Sequence, residues 1–179
     1  MADLIIRPVR LDDVEKIAAI YAEAVLTGTA TFDIKPPTPA DIDRRRIELE
    51  RGGFPFLVAE AGTFLGYAYA GPYRLRPAYR FTVEDSVYVA AEARGRGIGA
   101  ELLAALVETA AARGFRQMVA VIGGADNEAS LRLHTKAGFE MIGTLRDVGW
   151  KHGRWLDTVL MQRPLGSGGT RPPDSLETR

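Results

Sequence analysis

The chain has 179 residues, 46% hydrophobic and 26% charged, the profile of a single soluble globular domain with enough chain to bury a sizeable core. Its 23 basic residues balance 23 acidic ones, so no global field invites nucleic acid or an anionic membrane, and any bound anion must be gripped locally. With no cysteine, disulfides, thiolate metal sites and a cysteine nucleophile are all excluded.

The opening MADLIIRPVR holds an apolar run too short for a secretory signal, and no run reaches the ~18 apolar residues that span a bilayer. Both point to the cytoplasm. Leu4-Ile5-Ile6 predicts a short strand over 3–9, which Pro8 keeps out of a central ladder. Asp12 and Asp13 open a helix whose positions Val14, Ile17, Ala18, Tyr21, Ala24 and Val25 keep helical spacing. A loop, TGTATFDIKPPTP, follows. Thr38 and Pro39 then read as N-cap and first helical position of a helix over about 39–51, ended by Gly52-Gly53.

PFLVAE and FLGYAYAGPY form a predicted hairpin around Ala61-Gly62. A connection rich in Arg, Tyr and Pro leads to a strand over 81–90. Next come the stretch ARGRGIGA, a helix to Arg113 stopped by Gly114, and a buried strand RQMVAVIG. Asn127 or Asp126 caps a helix ending near Ala137-Gly138, and strands are predicted over 139–148 and 154–162. The end, GSGGTRPPDSLETR, has almost nothing to bury, so one domain over 1–165 with a disordered tail over 166–179 is expected. The order β-α-α-β-β-β-α-β-α-β-β implies an α/β fold, a mixed sheet with helices on both faces.

ARGRGIGA puts glycines where a helix begins. The first N–H groups of a helix lack intrahelical partners and carry partial positive charge, and glycine lets an anion approach them closely. Arg94 and Arg96 add charge nearby, which suits a diphosphate. No Lys-Ser/Thr follows, so this is no P-loop, and the glycine spacing is not that of the dinucleotide fingerprint. A flexible charged loop is the plain alternative.

Arg94-x-x-Gly97-x-Gly99 resembles the R/Q-x-x-G-x-G/A pyrophosphate loop of the GCN5-related N-acetyltransferase (GNAT) family, and NEASLRLHTKAGF at 127–139 is similar to that family's N-x-x-A/S-x-x-L-Y-x-K-x-G-F. Asn127, Ser130, Leu133, Lys136, Gly138 and Phe139 match; His134 stands where most members carry tyrosine. The resemblance runs over residues 3–164. YRFTVEDSVYV, VAVIG, His134 and GWKHGRWLD resemble more narrowly the phosphinothricin and methionine sulfoximine acetyltransferase subgroup. It implies a mostly antiparallel sheet splayed between the strands near 81–90 and 116–123, with acetyl-CoA in the splay and the acceptor amine entering opposite. It also implies a homodimer.

The same resemblance suggests roles. Glu84 is the candidate base for the amine, as acetyl transfer needs a neutral nitrogen. Strand alternation sets Glu84, Ser86 and Tyr88 on one face and Asp85, Val87 and Val89 on the other. A structural ion pair with Arg80 is the bland alternative. Val87, Tyr88 and Val89 pair through their backbone with the pantetheine arm, and Arg94, Gly95, Arg96, Gly97, Ile98, Gly99 and Ala100 hold the diphosphate. His134 either donates a proton to the leaving thiolate or only contacts CoA. Asn127 touches the pantetheine arm or caps its helix, with Ser130 one turn on, and Lys136 is a solvated helix residue. An acceptor carboxylate calls for a guanidinium, found at Arg74 or Arg76 beside Leu75; Phe32, Tyr73 and Lys151 are wall candidates. Trp150 and Trp155 read as core or interface aromatics.

Two histidines and no carboxylate cluster at ligand spacing give no metal site, and no G-x-S-x-G supports a serine nucleophile. The expected activity is direct acetyl transfer from acetyl-CoA to a small amino-acid analogue such as phosphinothricin, methionine sulfoximine or methionine sulfone. Its competitors are transfer to a peptide amino terminus, polyamine or aminoglycoside, a CoA-binding module without turnover, and an ATP-binding domain.

Overall fold

Short polar signals start and stop the helices, and the computed structural model, which describes residues 3–173, shows how. Helix α1 spans Val14–Thr27, α2 Pro39–Arg51, α3 Ile98–Ala112 and α4 Glu128–Lys136. Thr38 caps α2: its hydroxyl accepts from the Asp41 N–H while the Asp41 carboxylate accepts from the Thr38 N–H. Asn127 caps α4 by accepting from the Ser130 N–H at 3.2 Å. Helix α3 has no side-chain cap and starts from Gly97 in the left-handed region, φ 83°.

Among the described residues the strands are β1 (Ile5–Pro8), β2 (Phe56–Glu60), β3 (Phe64–Pro72), β4 (Thr82–Val89), β5 (Gln117–Gly123), β6 (Glu140–Lys151) and β7 (Arg154–Pro164). They form one sheet in the order β1-β2-β3-β4-β5-β7-β6, antiparallel except where β4 meets β5. Pro8 sits on an edge strand, as its missing N–H requires. β6 outruns the predicted 139–148 because its register with β7 breaks at Met141/Gly143 and Leu145/Gly149, which scrambles the alternation; a turn at His152-Gly153, both with positive φ, closes the pair.

Helix α3 packs Leu102, Leu103 and Leu106, each fully buried, onto one face of the sheet with Met118 and Phe139. Each such side chain contributes about 2 kcal/mol of burial. Ile17 of α1 and Ile42 of α2 cover the other face, in one cluster with Val58 of β2 and Tyr67 of β3. Between these layers β4 and β5 pair only at Thr82–Gln117, Val83–Met118 and Glu84–Val119, then part company. This is the expected splay.

Beyond β7, Leu165 is buried, and Arg116 donates to Ser167 Oγ and to the Pro172 carbonyl. Arg116 thus links Ser167 and Pro172 to the start of β5. The stretch 174–179 of the expected tail lies outside the described residues.

Candidate active site

The splay opens a cleft of about 810 Å³ whose walls come from β4, β5, α1, α4 and the loop after α1. Alternation along β4 holds without a bulge. Tyr88 points toward α1, edge-on to Tyr21 at 5.1 Å, whereas Asp85 points to α4 and Val87 and Val89 pack with the α3 layer.

Glu84 lies where β4 and β5 separate, on the Tyr88 side, and lines both this cleft and an adjoining cavity of about 400 Å³. Among the described residues nothing hydrogen-bonds or ion-pairs with its carboxylate. Arg80 instead donates to the Pro77 carbonyl and lies over the Phe81 ring at 4.6 Å, so the Glu84–Arg80 pair does not form. Burial, then the Asp85 charge, raise the Glu84 pKa above the ordinary 4.5, opposed by the Arg74 cation. A carboxyl in that state binds and releases protons more readily near neutrality than a surface one.

At the other end of the splay, Gly95 and Gly97 have φ of 75° and 83°, where other residues are strained, and an added Cβ on either would meet open space. The N–H groups of residues 95–99 have no protein acceptor among the described residues; the Ala100 and Glu101 amides turn back to the Gly97 carbonyl. Five free amides at the head of a 15-residue helix make an anion cradle, and its donor set fits a diphosphate. Arg94 does not simply add charge there: it pairs with Glu23 of α1 at 2.9 Å and its Nε donates to the Val89 carbonyl at 3.3 Å. Arg96 is exposed. Past Glu84 the β5-facing edge of β4, with Val87, Tyr88 and Val89, has no strand partner.

Helix α4 brings Asn127, Ser130 and His134 to the cleft, while Lys136 faces solvent. His134 is buried and its ring packs edge-on against Phe139 at 5.0 Å. Its Nε2 lies 2.9 Å from Asp85 Oδ2 and its Nδ1 2.8 Å from the Ser130 carbonyl. Burial works against the imidazolium, but the Asp85 hydrogen bond and charge, with the Ser130 carbonyl, outweigh it and raise the His134 pKa above 6.5.

Phe32 enters the cleft wall, its ring seated where Cβ atoms on Gly123 and Gly149 would collide with it. Lys151 is buried and donates to the Thr31 carbonyl at 2.7 Å, bracing the same loop. Arg74 is exposed and stacks on Tyr73 at 5.1 Å, Arg76 is exposed, and Leu75 is 91% exposed; these four line neither cavity. Trp150 and Trp155 pair at 5.2 Å on the outer surface, not in the core.

Sequence reasoning missed Asp85, Tyr21, Tyr69 and Arg45. Tyr21 donates to Asp33 at 2.8 Å, and Arg45 lies over the Tyr21 and Tyr69 rings at 5.4 and 5.9 Å. Their signals are weak: Tyr21 sits in an apolar helical stripe, and Arg45 is one of three consecutive arginines. No group of three or more metal-ligating side chains occurs among the described residues, and no helix there is long and apolar enough to cross a membrane.

Residues 6–160 match the family described as acetyltransferase (GNAT) domain. The chain is 50% identical over 170 residues to a phosphinothricin N-acetyltransferase of Alcaligenes faecalis, covering 94% of this chain and 86% of that protein. It is 43% identical to an L-methionine sulfoximine/L-methionine sulfone acetyltransferase of Pseudomonas aeruginosa, covering 93% and 98%. Among solved structures, a phosphinothricin acetyltransferase of Sinorhizobium meliloti in complex with AcCoA superposes with a TM-score of 0.93 at 48% identity, covering 97% and 94%.

Proposed function

The chain belongs to the GNAT acetyltransferase family, and from that premise we propose how its own residues work. It is an acetyl-CoA-dependent N-acetyltransferase that acetylates the primary amine of small amino-acid analogues of the phosphinothricin, methionine sulfoximine and methionine sulfone type. Acetyl-CoA is a substrate here, and the reaction calls for no metal.

The observation that carries the reading is the parting of β4 from β5 at Glu84, with a lone carboxylate at one end and five free amides at the other. In the scheme we propose, the amides of 95–99, continuing to Ala100, hold the diphosphate. Asn127 and Ser130 contact the pantetheine arm. The unpaired edge of Val87–Val89 aligns that arm as an added strand, and a backbone N–H there polarises the thioester carbonyl. Glu84 accepts the amine proton, directly or through a water, and the neutral nitrogen attacks the carbonyl carbon. Arg74, whose charge is felt at Glu84, and Arg76 lie outside both cavities and reach the acceptor's acidic group from there, with Tyr73 stacked on Arg74 and Phe32 in the cleft wall. An anionic acceptor fits these arginines better than a polyamine or aminoglycoside does. We further propose that the enzyme is a homodimer and works in the cytoplasm, where acetyl-CoA is at hand.

The test is thiol release from acetyl-CoA across sulfoximines, sulfones, phosphinates, polyamines and peptides. Amino-acid analogues should lead by at least tenfold, and Glu84→Gln should cut kcat/KM by ~10²-fold or more near pH 7. A wild-type rate in that variant removes Glu84 from the scheme. Preference for a polyamine would move the acceptor class.

A further inference from the structure

Asp85 is a buried carboxylate beside the cleft for which the transfer scheme has no use. Its side chain is 2% exposed and that of its partner His134 is 5% exposed. One ring nitrogen of His134 faces a carboxylate oxygen at 2.9 Å, the other a backbone carbonyl at 2.8 Å, with Ser130 Oγ 3.3 Å from the latter nitrogen. Both principal neighbours are acceptors. A neutral imidazole has one N–H and an imidazolium two, so the cation satisfies both contacts at once. Asp85 Oδ1 has no hydrogen-bond partner among the described residues, so no second donor draws charge away from the pair.

Resting on the acetyl-transfer reading, we infer that Asp85 is a positioning residue that locks His134 as a standing imidazolium beside the splay, a fixed cation rather than a proton donor. With both N–H bonds already engaged, the ring has no proton aimed into the cleft. The chemistry closes without one. The amine nitrogen bonds to the acyl carbon, the C–S bond breaks, and its electron pair leaves on sulfur. The ammonium gives one proton to Glu84 before attack, and the nitrogen of the adduct loses its second proton by the same route as the C–S bond breaks. Both pass to solvent, and the thiolate takes one back from solvent. Charge developing on sulfur is stabilised by the imidazolium with no proton moved. The pair also ties β4 to α4 where the sheet opens.

Other charges around the ring are few. β5 carries no titratable side chain, and Glu140, Arg146 and Asp147 of β6 face solvent. Arg163 of β7 donates to the Ala137 carbonyl, and on α4 itself Arg132 pairs with Glu128.

The experiment is ¹⁵N imidazole NMR of the full chain, in which His134 and His152 are the two histidines and His152→Gln assigns the signals. His134 should stay doubly protonated through neutral pH, and in Asp85→Asn it should lose its proton at lower pH than in the wild type. Asp85→Asn and His134→Gln should each lower kcat about tenfold with the acetyl-CoA KM within about twofold, and the double variant should be no worse than the poorer single one. A neutral His134 at pH 7 in the wild type overturns the inference, and that spectrum needs no variant to fold. An unchanged titration in Asp85→Asn overturns it too, as do multiplying rate losses. The spectra need no substrate, so failure to acetylate any amine sinks the enzyme reading alone.

Discussion

Glu84 stands between opposing influences: burial and the Asp85 charge favour its neutral form, and the exposed Arg74 favours the carboxylate. A base works only when deprotonated, so kcat/KM should rise with pH through the Glu84 pKa, with the midpoint above the ordinary 4.5. Arg74→Ala removes the influence that lowers that pKa, so the acid limb moves to higher pH. Because Arg74 is exposed, added salt should shrink the difference. The same variant should raise the acceptor KM about tenfold, the worth of one charge-assisted hydrogen bond of ~1.4 kcal/mol. Stopped-flow or steady-state pH profiles at two salt concentrations check both effects. An acid limb that stays put while KM rises would leave Arg74 a binding residue alone.

Between elements, one ion pair is placed to matter for stability. Arg7 on β1 donates to both oxygens of the buried Asp13, at 2.7 and 2.9 Å, and to Glu60 at the end of β2. Burial alone would raise the Asp13 pKa, yet the Arg7 hydrogen bonds and the Arg10 N–H win and hold it below 3.8. A depressed carboxylate stabilises the fold above its unfolded pKa and loses that contribution as pH falls through the folded one. Arg7→Met, which strands the buried Asp13 charge, should cost about 3–5 kcal/mol in urea unfolding at pH 7, with a smaller deficit once acid protonates Asp13. A loss under 1 kcal/mol would show that β1 is held by its ladder alone. Neither partner could be picked from the sequence, since 46 charged residues offer many pairings and burial selects among them. The same limit explains Asp85: alternation gave its face correctly, but the histidine it meets is 49 positions away. Local signals travelled better. Thr38 and Asn127 bond to amides three residues on, and Gly95 and Gly97 set their own backbone angles, so the caps and the run of free amides at 95–99 are legible. The sequence offers Phe32 as a wall residue, but its seat against Gly123 and Gly149 exists only in three dimensions.

At the scale of the whole molecule, the outer end of the sheet is unlike the rest of the surface. β6 is an edge strand, and Met141, Ile142, Leu145, Val148 and Trp150, with Trp155 of β7, are each 49–61% exposed. In the homodimer proposed above, a second copy of the same strand would pair this edge and cover its apolar surface. The consequence reaches the cleft. Gly149 receives the Phe32 ring and Lys151 holds the Thr31 carbonyl, so the hairpin that carries the patch also fixes one wall of the acceptor side. Ile142→Arg should therefore reduce the solution mass from twice 19.5 kDa toward one chain, read by light scattering at micromolar concentration. It should raise the acceptor KM several-fold while leaving the acetyl-CoA KM unchanged, because the amides of 95–99 lie at the opposite end of the splay. A wild-type chain that scatters as a monomer would refute the dimer. A dimer-breaking variant with an unaltered acceptor KM would separate assembly from the cleft.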